Sequence, residues 1–160
     1  MQTDPAVIEL LNEVLTAELT AINQYFVHAK MLENWGVYGL AAKERTESID
    51  EMEHADKLID RILFLEGTPN MQRLFPVRVG ENVEEMLRLD LELEGEAVAR
   101  YRAGIELCVE KGDQGTREFL ADRLIDEEEH VDWLETELDL VARIGIDLYT
   151  TSRLSKETSG

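Results

Sequence analysis

The chain has 160 residues, 44% of them hydrophobic, and 35 acidic against 16 basic residues give it a formal charge of −19. That length supports one domain with a sizeable core, and the apolar content argues against disorder despite the charge. The sign of the charge excludes nucleic acid and anionic membranes as partners, leaving cations as the natural ligands.

Asp4-Pro5 starts a helix, with a side-chain acceptor at the cap and proline where no amide hydrogen is needed. Ile8, Leu11, Leu15, Leu19, Ile22 and Phe26 then recur at intervals of three and four, and Gly36 ends the run after Asn34. A second helix is predicted from Tyr38 to Glu66, stopped by Gly67 with Pro69 beyond. Asn82 with Glu85 reads as a capping box that opens a third helix, which ends before Gly112. Asp113 caps a fourth, which runs to Arg143 and stops at Gly145. A short helix over Ile146–Leu154 follows. At 1.5 Å per residue the four long helices are each about 42 Å long, a length that suits a bundle.

The first and third connections are short, so they join antiparallel neighbours. Thr68 to Glu81 is too long for a turn and contains Pro69, Pro76 and Gly80, so it is expected to run the length of the bundle as a crossover. Only Phe75–Val79 alternates at period two, too little for a sheet. The expected architecture is all-α: one domain over 1–160, with a bundle at about 4–144, a short helix at about 146–154 and a frayed tail at 155–160.

Cys108 is the only cysteine, so neither an intrachain disulfide nor a thiolate zinc site can form. The opening MQTDPAVIEL lacks the charged and apolar regions of a signal peptide, and no run approaches the roughly 20 apolar residues that span a bilayer. A soluble, cytoplasmic chain is expected.

The segments Ser48–Leu58 and Leu124–Leu134 share seven of eleven residues, including Glu-x-x-His in each. Glu51 and Glu127 are 76 residues apart, as are His54 and His130, and the same offset carries Glu18 onto Glu94 and Tyr25 onto Tyr101. Residues three apart share a helix face, so Glu51 converges with His54, and Glu127 with His130. Two such halves around a pseudo-twofold axis bring four carboxylates and two imidazoles to the bundle centre. Leu15, Leu19 and Ile22 flank Glu18, and Leu87, Leu91 and Val98 flank Glu94, which places these groups inside. Unpaired, they would be very costly there. Two divalent cations would cancel the four charges, and oxygen and imidazole donors without thiolate suit iron or manganese.

These residues carry a family resemblance. AINQYF (Ala21–Phe26), NWG (Asn34–Gly36), RILFLEG (Arg61–Gly67), DEEEHVDWLETELDL (Asp126–Leu140) and the first motif, with Glu47–Asp56 around it, resemble bacterioferritin, the haem-containing ferritin family, over nearly the whole chain. The resemblance implies a ferritin-like bundle, a cytoplasmic 24-subunit shell built from dimers, and storage of ferric mineral inside it. It implies a ferroxidase taking Fe(II) with O2 or H2O2 at a di-iron centre of two irons per subunit. Glu51 and Glu127 would bridge the irons, Glu18 and His54 would complete one, and Glu94 and His130 the other.

It also implies haem b, one per subunit dimer, held by Met52 of each chain across a twofold axis. At about 100° per residue, Met52 points well over 100° away from the Glu51/His54 direction, so it belongs to no shared site with them. Leu19, Ile22, Asn23, Phe26 and Ile49 could line the haem slot. Thioether ligation raises the potential of iron, which suits electron transfer for iron release, with a ferredoxin-type protein as reductant. The shell is open to one or two subunit types. An alternative that keeps the metal site is a ferritin-like di-metal peroxidase or catalase without a shell; a metal-free helical scaffold is a third reading.

Other residues are read beside these. Tyr25 and Tyr101 lie two turns from Glu18 and Glu94, where either phenol can bond a site carboxylate, supply an electron or simply be buried with its hydroxyl satisfied. Trp133, three residues after His130, reads first as packing. Asp50 and Asp126 are expected on the mineral-facing side; some relatives carry a further histidine four residues before Asp50, where this chain has Thr46. Asn34, Glu66, Asp132 and Asp139 match pore-lining positions of the family or form a solvated acidic face. His28, outside the repeat register, is expected at the surface, and Cys108 in the core.

Overall fold

The computed structural model describes residues 1–155. Among these, five helices form and no strand does: α1 (Pro5–Asn34), α2 (Tyr38–Phe64), α3 (Val83–Lys111), α4 (Gln114–Ile144) and α5 (Ile146–Ser152). All but the first residue of the expected frayed tail lies outside the described residues.

The caps act where the sequence places them. The side chains of Asp4, Asn82 and Asp113 accept from the amides of Ala6, Glu85 and Thr116, and Gly36 and Gly112 take left-handed φ values of +81° and +73°. Two ends differ from expectation. α5 stops at Ser152, and α2 stops at Phe64 rather than Glu66. At the α2 terminus Glu66, not Gly67, adopts positive φ (+64°), and the Gly67 amide returns to the Ile62 carbonyl at 2.9 Å. Gly67 is there for space: a Cβ on it would lie 2.8 Å from Cγ2 of Ile8.

α2 has no side-chain cap at Val37. Its first amides are met by the end of the chain instead, with Tyr38 donating to the Leu154 carbonyl at 3.1 Å and Gly39 to that of Arg153 at 2.9 Å. Tyr149 holds this segment down. It is fully buried and its hydroxyl donates to Glu137, which also receives Arg153.

α1 packs on α2 and α3, and α4 packs on α3. Cross-contacts run in opposite sequence directions along each pair, so α2 and α3 point the same way. That is why the connection between them must travel the bundle. Residues of α1 pin it: the Asn12 side chain bonds both Thr68 and Asn70, Thr20 Oγ1 accepts from the Phe75 amide, Gln24 Oε1 from Arg78 and His28 Nε2 from Gly80. From Asn12 to His28 this seam covers about 24 Å of helix. Its amides bond to side chains, so the period-two stretch needs no sheet.

Most of the apolar core is in two parts, with a small third cluster of Ala21, Tyr25 and Leu93. Val7, Leu11, Leu15, Leu58, Ile62, Cys108 and Leu120 fill one end, and Leu32, Leu40, Met86, Leu87, Leu134 and Tyr149 the other. The layer between them is polar, and it holds the repeat.

Candidate metal centre

All six repeat-derived residues are buried and meet in that middle layer: Glu18 from α1, Glu51 and His54 from α2, Glu94 from α3, Glu127 and His130 from α4. Donor atoms of Glu18, Glu51, His54 and Glu127 lie within 4.8 Å of one another, and so do those of Glu51, Glu94 and His130. Both histidines turn Nδ1 inward. His54 Nδ1 is 3.3 Å from Glu127, 3.4 Å from Glu51 and 3.9 Å from Glu18, while His130 Nδ1 is 3.3 Å from Glu94. Glu51 is shared by the two sets, whereas Glu127 enters only the first.

The two tyrosines extend the pseudo-symmetry outward. Tyr25, on the helix of Glu18, donates to Glu94; Tyr101, on the helix of Glu94, donates to Glu18 Oε1 at 2.6 Å. Each phenol thus reaches across to the other half. Burial and the surrounding carboxylates push both phenols well above their ordinary pKa, so both act as donors.

What the cluster lacks is partners. One oxygen each of Glu18, Glu51 and Glu94, both of Glu127, and Nδ1 of each histidine are buried without a hydrogen bond. Four adjacent carboxylates cannot all ionise in such a place. Burial, then the charges of Glu94 and Glu51, raises Glu127 well above the carboxylate range, and Glu51 is raised by burial and Glu94. Burial acts the same way on Glu94, yet the adjoining Glu127 and His130 and the Tyr25 hydroxyl bring it below its usual value. The arrangement stores protons that a divalent cation would displace, and its donor set of oxygens and imidazoles fits a hard or borderline metal such as iron.

The cluster opens on one side, between α2 and α4, into a cavity of about 410 Å³ lined by Lys43, Glu47, Asp50, His54, Asp126, His130 and Trp133 among others. Asp126 accepts from His54 Nε2 at 3.2 Å. Trp133 is half-buried, packs on the second apolar cluster and stands with its ring 6.1 Å from that of His130. On the opposite side of α2, Met52 is 56% exposed beside exposed Phe26 and Ile49, with Leu19 and Ile22 half-buried and Asn23 exposed. Asn34, Glu66, Asp132 and Asp139 are all exposed, and Thr46 is exposed with its hydroxyl on the Ala42 carbonyl.

His28 is not at the surface, as its place outside the repeat suggested; it is 0% exposed. Gly80 N–H donates to its Nε2, which fixes the proton on Nδ1, and that nitrogen faces Asp90 Oδ1 at 3.0 Å. Gln24 also donates to Asp90. Burial and the Asp90 carboxylate hold Glu44 well above the usual range, and Glu44 Oε2 and Asp90 Oδ2 are buried with no other partner. The sequence signals for this second cluster are faint: Glu44 lies seven residues before Glu51, and Asp90 lies four before Glu94.

A crossover bundle with paired Glu/His sets at its centre is the architecture of the ferritin-like class, and the family model described as ferritin-like domain matches residues 8–144. The bacterioferritin of Streptomyces coelicolor is 55% identical over 152 residues, 95% of this chain and 91% of that one. That of Mycolicibacterium paratuberculosis is 49% identical over 159 residues, 99% of this chain and all of the other, and that of Brucella melitensis 50% identical over 149 residues, 93% and 92%. The chain belongs to the bacterioferritin family. No helix among the described residues is long and apolar enough to cross a membrane.

Proposed function

We propose that iron storage by this chain begins with oxidation of Fe(II) at the central cluster. The observation that carries the reading is the set of buried donor atoms without partners on Glu18, Glu51, His54, Glu94, Glu127 and His130. Two Fe(II) ions are the substrate. Glu18 and His54 hold one, Glu94 and His130 the other, and Glu51 and Glu127 lie between them. Two Fe(II) give two electrons to O2, which takes up two protons to leave as H2O2; H2O2 in place of O2 yields two waters. The carboxylates serve both oxidation states because they shift between terminal and bridging positions. Tyr25 and Tyr101 keep the outer carboxylates oriented by donating to Glu94 and Glu18. Ferric product passes through the α2/α4 opening past Asp50 and Asp126 to the interior of a cytoplasmic 24-subunit shell made of this chain, alone or with a second subunit type.

The exposed Met52 face fits haem b at a dimer twofold: a thioether stands free on an apolar strip of Phe26, Ile49, Leu19 and Ile22. Bound there, haem would supply one-electron transfer for iron release, with a ferredoxin-type reductant. In this arrangement Met52 holds the group and the strip excludes water from it.

Aerobic addition of Fe(II), followed optically, tests the reading. Glu18→Ala and Glu127→Ala are each expected to slow oxidation about a hundredfold or more. Rates equal to the parent's would disprove the assigned centre. In the same preparations Met52→Leu is expected to lose the haem spectrum while retaining iron oxidation.

A further inference from the structure

The 76-residue offset holds at the six central residues and breaks one turn away. Glu47 lies four residues before Glu51, and the corresponding position, four before Glu127, is Arg123. A carboxylate in one half therefore answers to a guanidinium in the other. We propose that Glu47 and Arg123 make the two cation positions unequal, so that the Glu94/His130 position fills first and the Glu18/His54 position second. The inference rests on the two-cation reading above.

Glu47 is buried, and its Oε2 is 3.3 Å from His130 Nδ1, the same nitrogen that lies 3.3 Å from Glu94. A cation drawn to Glu94 and His130 has this third carboxylate beside its imidazole ligand, outside the donor set formed with Glu51. Arg123 lines the same cavity on the other side, close enough for its charge to act on His54 and Tyr101, and its Nε is buried without a partner. A guanidinium has no lone pair to offer a metal and repels a cation.

The other charges around the opening do not erase the difference. Asp50 and Asp126 both line the cavity, and Asp126 meets His54 at Nε2, the nitrogen turned away from the cation position. Lys43 holds Glu47 Oε1 at 2.8 Å, leaving Oε2 toward His130. The counterpart of Lys43 is Phe119, whose ring lies 5.7 Å from the Arg123 guanidinium. The Lys43–Glu47 pair is neutral, whereas Phe119 with Arg123 carries one positive charge. The Glu94/His130 position thus has an extra carboxylate beside it and the Glu18/His54 position an extra repulsion.

Anaerobic titration of the full, assembled protein with Co(II), read from the visible absorption of cobalt held by protein ligands, separates the two positions without redox chemistry. Two equivalents per chain are expected, in steps at least about tenfold apart in affinity, given one uncompensated charge at short range. Glu47→Gln should weaken the first step about tenfold, and Arg123→Gln should strengthen the second by a similar factor. Arg123→Lys, which keeps the charge, should preserve the gap and shows that a change in the glutamine variant is not one of folding. Coincident steps in the parent, or a gap that neither glutamine variant narrows, would overturn the inference while leaving the two-cation reading intact. Fewer than two equivalents would overturn that reading and the inference with it.

Discussion

The two ends of the bundle are related by the same offset as the centre, and they are built from opposite materials. One end buries His28, Glu44 and Asp90. The positions that correspond to them at the other end are Gly104, Leu120 and Val14, all buried in apolar packing. Connectivity explains the difference. The crossover passes over the first end and brings the Gly80 amide to His28, whereas at the other end Gly104 only makes room for Leu10, which would lie 2.8 Å from a Cβ there. The pseudo-symmetry is kept where the four central glutamates and two histidines meet and dropped where a polar backbone must be met on one side only. The comparison also separates two kinds of buried polar cluster. The central one has many donors without partners, while in the His28 cluster only Glu44 Oε2 and Asp90 Oδ2 lack one, and a proton on Glu44 would join them.

The largest effect is expected from Asp90→Val, which gives the polar end the residue found at Val14. It strands His28 Nδ1–H and the Gln24 amide together, and a loss of about 3 kcal/mol in a denaturant titration is expected. Glu44→Gln sharpens the contrast by supplying a permanent donor to Asp90. Because the folded-state pKa of Glu44 is raised, its contribution to stability is complete below the unfolded carboxylate value near 4.3 and is lost as pH rises toward the folded value. The variant has no such loss. Relative to the parent it should gain about 1–2 kcal/mol in thermal melts between pH 5 and pH 7, and parallel pH profiles would sink the shared-proton account. The smallest change is Thr20→Val. It removes the acceptor for the Phe75 amide and should cost about 1 kcal/mol, with faster amide exchange confined to the crossover.

The central cluster was legible in the sequence because its chemistry is written in helical spacing. Glu51 with His54, Glu127 with His130 and the matched Glu18 and Glu94 are fixed by face and offset alone, and the caps at Asp4, Asn82 and Asp113 are local in the same way. What was not legible depends on distant partners. His28 is buried because Asp90 and Gly80, 62 and 52 residues away, come to both sides of its ring. The start of α2 relies on carbonyls of Arg153 and Leu154 more than a hundred residues on, and only the lack of a capping side chain at Val37 hinted at it. Glu66 gave no sign that it, and not the glycine after it, would turn left-handed, since that choice follows from the space Ile8 leaves for residue 67.

The chain has two tryptophans, and the fold separates them. Trp35 caps α1 at the exposed end of the bundle, while Trp133 stands beside His130 with the Lys43 ammonium 4.8 Å above its ring. With Trp35 replaced by phenylalanine, the remaining indole emits from the rim of the cluster, within quenching range of any transition metal held there. The bundle thereby contains its own fluorescent gauge, one that would follow the filling of its centre without an added dye.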